Sequence, residues 1–340
     1  MAIVTLGRTG LVFNKNGFGA LPIQRVTKDE AAVILKKAYT SGINFFDTSV
    51  IYSDSEEKIG YTLGDVRDQI YIATKTPAQT GDDFKRDLEK SLNRLKTNYI
   101  DVYQFHNPSF CPKPGDGTGL YEAMIEAKKQ GKIRFIGITN HRLPVAIDAV
   151  ESGLYDTLQF PFSYLANQKD IDLVSLCKKH NVGFIAMKGM SGGIITNSAA
   201  AYAFMNQFDN VIPIWGIQRI KELEEFLSYD KNPPKLSGEI FDLIERDKKE
   251  LSGNFCRGCG YCEPCPAGIQ ISLSARMSWV LKRMPSDQFV TPEWQKKMEL
   301  IDNCIHCNHC IKHCPYSLNT PELLKQNLTE YRAYLKEHHL

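Results

Sequence analysis

Across about the first 230 residues, short apolar runs alternate with longer stretches whose apolar positions recur at three- and four-residue spacing. That rhythm predicts parallel strands separated by helices, an α/β chain. The strand candidates are Ile43 to Phe46, Ile70 to Thr74, Ile100 to Phe105, Phe135 to Ile138, Thr157 to Phe160, Gly183 to Met187 and Val211 to Trp215, with a first one near Phe18. Helical patterns occupy Lys28 to Thr40, Phe84 to Leu95, Leu120 to Lys129, Asp170 to His180 and Ile220 to Leu227. Eight strands close a (β/α)8 TIM barrel, and the length fits one. An open doubly wound sheet is the alternative, but it carries a Gly-rich turn after its first strand, a fingerprint that Gly17 and Gly19 do not meet.

The pattern breaks at Asn232-Pro233-Pro234, and a charged stretch ending in Ser252-Gly253 reads as a linker. The expected division is residues 1–235 for the barrel and residues 236–340 for the linker and a small, mainly helical, ferredoxin-like domain. Helices are expected at Ile271 to Met284 and Pro321 to Glu337. Eight of the ten cysteines fall in this tail, in the runs CRGCGYCEPCP and CIHCNHCIKHCP. Three cysteines at C-x2-C-x2-C spacing offer one face of a cubane cluster, and a later Cys-Pro in each run serves the other cluster. By that rule Cys256, Cys259, Cys262 and Cys314 hold one 4Fe-4S cluster, and Cys304, Cys307, Cys310 and Cys265 hold a second. The first run is one residue short before its fourth cysteine, at the Glu263-Pro264 turn. Zinc is the rival, since C-x2-C pairs also make tetrahedral sites, but it gives no reason for a triple followed by Cys-Pro twice. Disulfides rank last, because the start of the chain does not resemble a signal peptide and cytosolic thiols stay reduced. Of the two remaining cysteines, Cys177 reads as a small core residue.

With 43% hydrophobic and 24% charged residues and a net charge of +2, the chain can bury a large core and has no basic tract that tracks nucleic acid. No apolar run reaches the length of a membrane span. A cytoplasmic location is expected.

In parallel barrels, chemistry gathers at the carboxyl ends of the strands. Here the second strand ends in Asp47, with Tyr52 five residues on; the third ends in Lys75, and the fourth in His106. A phenol ordinarily titrates near about 10, and an adjacent ammonium favours its anion. Lys75 can supply that charge, Asp47 can orient Lys75, His106 can donate to a substrate oxygen, and Tyr52 can exchange the proton. Singly, each residue has an ordinary reading as a helix cap or a surface side chain.

The stretch GINFFDTSVIYSDSEEKIG, the Lys after IYIAT, the His after IDVYQF, and GITNH resemble the aldo-keto reductase family over residues 1 to 230. The cysteine-rich tail looks like that of a subgroup in which the barrel is fused to a ferredoxin-type module. The resemblance implies a (β/α)8 barrel, catalytic roles for Asp47, Tyr52, Lys75 and His106, and a bound NADP(H) or NAD(H). Thr139, Asn140 and Gln159 match the residues that hold the nicotinamide amide. Where the family stacks an aromatic ring on the nicotinamide, this chain offers Met187. Other positions fit the family less well: Lys188, Gly189, Gly192 and Gly193 can line the pyrophosphate path, and Gly216, Gln218 and Arg219 lie in a stretch that resembles the adenosine-phosphate loop, with Glu222 where many NADPH users carry a base.

The implied activity is hydride transfer between nicotinamide and a small carbonyl or alcohol substrate. Ile51, Phe162, Tyr164, Met190 and Trp215 suggest an apolar pocket, and NPSFCPKPGDGTG after His106 reads as a lid or docking loop. Hydride transfer needs no metal, so the tail is structural, exchanges electrons with a ferredoxin- or flavodoxin-like carrier, or belongs to a sensor that binds cofactor without chemistry.

Overall fold

The computed structural model describes residues 3–251, 255–284 and 286–339. The chain divides into two compact units, one formed by Met1–Gly189 with Ser198–Phe241 and the other by Met190–Asn197 with Asp242–Leu340. Ser252 and Gly253, the expected end of the linker, lie outside the described residues.

The first unit opens with an antiparallel hairpin of β1 (Ile3–Thr5) and β2 (Val12–Asn14). Eight parallel strands then close a barrel: β3 (Gly17–Gly19), β4 (Phe45–Asp47), β5 (Tyr71–Thr76), β6 (Ile100–His106), β7 (Ile133–Thr139), β8 (Thr157–Pro161), β9 (Gly183–Met187) and β10 (Val211–Gly216), with β10 returning to β3. Between them run α1 (Lys28–Thr40), α2 (Ser55–Leu63), α3 (Gly81–Leu95), α4 (Leu120–Lys129), α5 (Leu143–Glu151), α6 (Gln168–Lys179), α7 (Ser198–Asn206) and α8 (Ile220–Lys231). The helices follow from local chemistry. Thr27 caps α1 in a reciprocal box with Glu30, and α3 buries Phe84, Leu88, Leu92 and Leu95 along one face.

The barrel interior is apolar at one end and polar at the other. Val4, Leu6 and Phe13 of the hairpin segment share one cluster with Phe45, Ala73, Val102, Ile185, Ile212 and Ile214, which plugs the amino-terminal end. Successive inward positions on a strand are two residues apart. Two residues beyond Phe45, Ala73 and Val102 stand Asp47, Lys75 and Gln104; Lys75 is level with Gln104 in the parallel register, and Asp47 lies one inward step lower, opposite Ala73.

The seam between β3 and β10 is tight. A Cβ on Gly17 would fall 2.8 Å from the Pro213 carbonyl oxygen, so this glycine serves strand packing. Beside it, Asn16 accepts the Trp215 indole N–H at 2.8 Å and donates to Asp230 at 2.9 Å.

In the second unit, α9 (Glu239–Glu250) occupies the stretch expected as a linker. Ile244, Asp247 and Leu251 are buried at helical spacing within a run dominated by charge. The helix expected at Ile271 to Met284 is two helices, α10 (Ile271–Ser274) and α11 (Met277–Arg283). Asn327 explains the break: its amide donates to the Ala275 carbonyl and its oxygen accepts from the Ser278 N–H, satisfying both broken ends. Asn327 belongs to the closing helix. Before it come α12 (Pro292–Glu299) and α13 (His309–His313), and α14 (Thr320–Glu337) completes the unit. Its core joins Met277, Val280, Met298, Leu324 and Tyr331 to Cys256, Cys262 and Cys310.

Replacing Asn16 with Ala orphans the Trp215 N–H and one bond to Asp230, at about 1–3 kcal/mol for each buried group. The urea midpoint should fall with an unchanged slope; a loss well under about 1 kcal/mol would show that the seam does not depend on this side chain.

Candidate functional site

Asp47, Lys75 and His106 leave β4, β5 and β6, which are consecutive neighbours in the barrel. Lys75 is wholly buried and donates to Asp47 Oδ1 at 2.6 Å and to the Thr48 carbonyl. Asp47 also receives the Gln104 and Gln159 amides at 3.4 Å each, and Gln104 donates to Gln159 at 2.9 Å. Burial raises the Asp47 carboxyl above its usual range and lowers the Lys75 ammonium below its own, and their mutual attraction opposes both shifts.

After β4 the chain turns at Ser49, whose carbonyl accepts the Tyr52 N–H at 3.0 Å. That turn brings the Tyr52 ring over the strand ends. Lys75 Nζ lies 5.2 Å from the ring centroid, and His106 meets the same ring edge-on at 5.8 Å. All four residues singled out in the sequence therefore come together. His106 is pushed down to about 3 by burial and by the Lys75 charge, so its imidazole is neutral at physiological pH. Ser49 Oγ is 3.0 Å from His106 Nδ1, which leaves Nε2 as the nitrogen without that neighbour.

The residues matched to the nicotinamide lie on the adjoining strands. Thr139 is opposite both His106 and Gln159 in the parallel register and is buried. Asn140 donates to the Pro108 carbonyl and accepts from Arg142 N–H, leaving one amide hydrogen and one lone pair for another partner. Gln159 is joined to Gln104 and Asp47. Lys188 follows β9 in the left-handed region, at φ +59°. Gly192 and Gly193 leave room for the Arg276 guanidinium and the Met284 side chain within the second unit. Gly216 ends β10 and is exposed. Glu222 accepts the backbone N–H groups of Gln218 and Arg219 at 2.8 and 2.9 Å, and its other oxygen is 3.7 Å from the Arg219 guanidinium. A carboxylate thus already caps the positive end of α8.

Of the residues named for an apolar pocket, two are placed by their ring neighbours. Phe162 is buried among Phe184, Phe204 and Phe208, while Trp215 stacks on Phe226. Both are core, because large aromatics at strand ends pack against the helices outside the barrel. Tyr164 is also fully buried, and Ile51 is 55% exposed. The Pro- and Gly-rich segment after His106 is pinned along the barrel flank: Pro112 accepts the Tyr155 hydroxyl, Lys113 pairs with Asp148, and the Thr118 carbonyl accepts Gly81 N–H.

The cysteines fall into two groups. Cys256 and Cys262 are buried, and burial followed by the neighbouring sulfurs pushes Cys262 up to about 12 and raises Cys256. Cys259 and Cys314 lie within electrostatic reach of Cys256. Cys265, Cys304, Cys307 and Cys310 line a separate cavity with Ile269, Ile271 and Leu324. Desolvated thiols become anionic only beside a strong positive charge, which suits polynuclear iron. Among the described residues, no three His, Cys, Asp or Glu side chains are grouped as ligands of a single ion. The Glu263–Pro264 peptide in the shortened first run is cis.

Sequence reasoning missed Ser49, Gln104 and Arg276. Gln104 was legible, since it is two residues before His106 on one strand and so shares its face.

Residues 15–210 match the profile of the aldo/keto reductase family, and residues 255–319 match that of a 4Fe-4S dicluster domain. L-galactose dehydrogenase of Arabidopsis thaliana is 32% identical over 56% of this chain and 66% of its own length. Methylglyoxal reductase of Salmonella typhimurium is 33% identical over 52% of this chain and 70% of its own. The first of these relatives is thus spanned over slightly less than two thirds of its length. An aldo-keto reductase from Bacillus halodurans, in its holo form, superposes with a TM-score of 0.64 at 20% identity, covering 73% of this chain and 96% of that one. No described helix is long and apolar enough to cross a membrane. With its closed eight-stranded barrel and a profile match across more than half of its length, the chain belongs to the aldo/keto reductase family and carries a 4Fe-4S dicluster domain behind the barrel.

Proposed function

We propose that this protein is an oxidoreductase that moves a hydride between NADP(H) or NAD(H) and a small carbonyl or alcohol compound, with Tyr52 as the general acid and base. Residues 1–235 carry this chemistry, and residues 236–340 carry two 4Fe-4S clusters. The observation that carries the reading is the buried Lys75 ammonium, held by Asp47 and facing the Tyr52 ring at 5.2 Å. That charge makes the phenol a better proton donor and stabilises the phenolate it leaves.

When bound, the nicotinamide supplies the hydride; the chain supplies orientation and the proton. His106, kept neutral, donates through Nε2 to the substrate oxygen when the Ser49 hydroxyl turns its hydrogen to Nδ1 instead of to the Lys75 carbonyl 3.2 Å away. Tyr52 delivers its proton to the same oxygen as negative charge develops there. Thr139, Asn140 and Gln159 would hold the carboxamide and so fix which ring face meets the substrate. Lys188, Gly216, Gln218 and Arg219 would hold the phosphates, and Arg219 would have to exchange its Glu222 partner for a 2'-phosphate if NADP(H) is used. The relatives named for L-galactose and methylglyoxal support a small polar carbonyl or alcohol substrate.

Cys256, Cys259, Cys262 and Cys314 would hold one cluster, and Cys304, Cys307, Cys310 and Cys265 the other, supplying one-electron capacity. Thiolate ligands of this kind fit a reducing, cytoplasmic setting. A second reading, electron exchange with a ferredoxin- or flavodoxin-like carrier, is favoured by the exposure of the ligand Cys307 and of its neighbour Ile305, which is 65% exposed.

Tyr52→Phe should retain nicotinamide affinity while kcat for aldehyde reduction falls about 10²–10⁴-fold, the usual worth of a positioned acid; wild-type turnover in that variant would end the proposal. The His106 ring protons should show no titration by NMR between pH 5 and 8. Because the unfolded chain binds a proton near 6.5 that the folded chain refuses until about 3, stability should decline as pH falls through that window. A ring that titrates near 6.5 would contradict the neutral donor.

A further inference from the structure

The second unit buries a cation that has no acidic partner among the described residues. Arg276 lies at the break between α10 and α11, and its Nε and Nη1 are shut off from solvent with no hydrogen-bond partner among the described residues. Two of the four other arginines of this unit are answered by carboxylates: Arg283 pairs with Asp247 and Glu250, and Arg332 with Glu299 and Asp302. A guanidinium has five N–H donors and stays charged in proteins, so two buried nitrogens with three unanswered N–H groups signal a missing acceptor.

The surroundings show where that acceptor belongs. Gly258 stands between Cys256 and Cys259 at φ +60°, and a Cβ there would come within 2.9 Å of the Arg276 Cζ and Nη1. On another side, a Cβ on Gly192 would be 2.8 Å from Nη1. Two glycines thus make room for one guanidinium, one of them inside the first cysteine loop. The guanidinium therefore packs against the loop segment that carries Cys256 and Cys259. Gly258 N–H donates to the Cys256 sulfur at 3.4 Å.

We propose that Arg276 is the internal counter-ion of the cluster held by Cys256, Cys259, Cys262 and Cys314, donating N–H bonds to its sulfurs and making it easier to reduce. The inference rests on the reading that these cysteines hold a 4Fe-4S cluster. Four thiolates give such a group a net negative charge, which grows by one when it accepts one electron. A fixed positive charge and N–H···S bonds favour the more reduced state. The guanidinium is charged before and after, so no proton accompanies the electron. The second cysteine cavity is an internal control, because its lining includes Pro266, Ala267, Ile269, Ile271, Ile305 and His306 but no lysine or arginine.

The test is a potentiometric titration of the anaerobically assembled full chain, followed by electron paramagnetic resonance, with dithionite and mediators as the one-electron reductant and an iron count on each sample. Wild type should hold about eight irons, four for each cubane, and show two midpoints. R276Q should keep both clusters while the reduction equilibrium of one falls tenfold or more, about 59 mV or more toward negative potential for one electron, and the other stays put. R276K, which keeps the charge without the fork, should shift the same midpoint by less. If R276Q assembles only four irons but R276K assembles eight, the positive charge is needed to hold the cluster and the proposal stands. Unchanged midpoints in R276Q, equal movement of both, or equal cluster loss in R276Q and R276K would overturn it. A wild-type protein that binds zinc, or fewer than two clusters, would refute the underlying cluster reading instead.

Discussion

The barrel's working end depends on one ammonium taken out of water. Moving an isolated charge into a protein interior costs several kcal/mol even after relaxation, and Lys75 is fully buried. What makes the position tenable is the short contact to Asp47, the Thr48 carbonyl, and the two glutamine amides that occupy the rest of the carboxylate. Such a cluster holds only on a frame that does not give. Adjacent strands of a closed barrel fix the spacing of its members, and the hairpin plug keeps the opposite end dry and packed. The same desolvation that burdens the pair keeps His106 neutral, so one arrangement sets the charge state of every group around Tyr52.

A related economy governs the second unit, with an instructive difference. Lys75 has its counter-ion in the chain itself, whereas Arg276 has no carboxylate partner among the described residues. Its pocket is complete in shape, walled by Gly192 and Gly258, and incomplete in charge. Close packing around an unanswered donor is what a site built for a non-protein group looks like from the side of the polypeptide.

Much of this was legible because the signals were periodic. The eight strands followed from alternating apolar runs, and Gly183 to Met187, Lys28 to Thr40 and Leu120 to Lys129 match their elements end to end. The tetrad was legible as a set because barrels place function at strand ends. What escaped was decided by distant partners. The kink at Ala275–Arg276 is written in Asn327, about fifty residues away in sequence. The helix α9 was hidden by its charged face. Phe162 and Trp215 look the same in sequence whether they line a pocket or fill a core; only their ring neighbours separate the two.

The segment Met190–Asn197 interrupts the barrel sequence yet is counted with the cysteine-bearing unit, where the Ile194 carbonyl accepts from Arg283 and Gly193 abuts Met284. No single cut in the chain therefore yields two whole pieces. A gene fragment ending before α9 would encode the hairpin, the eight barrel strands and one loop stripped of its neighbours.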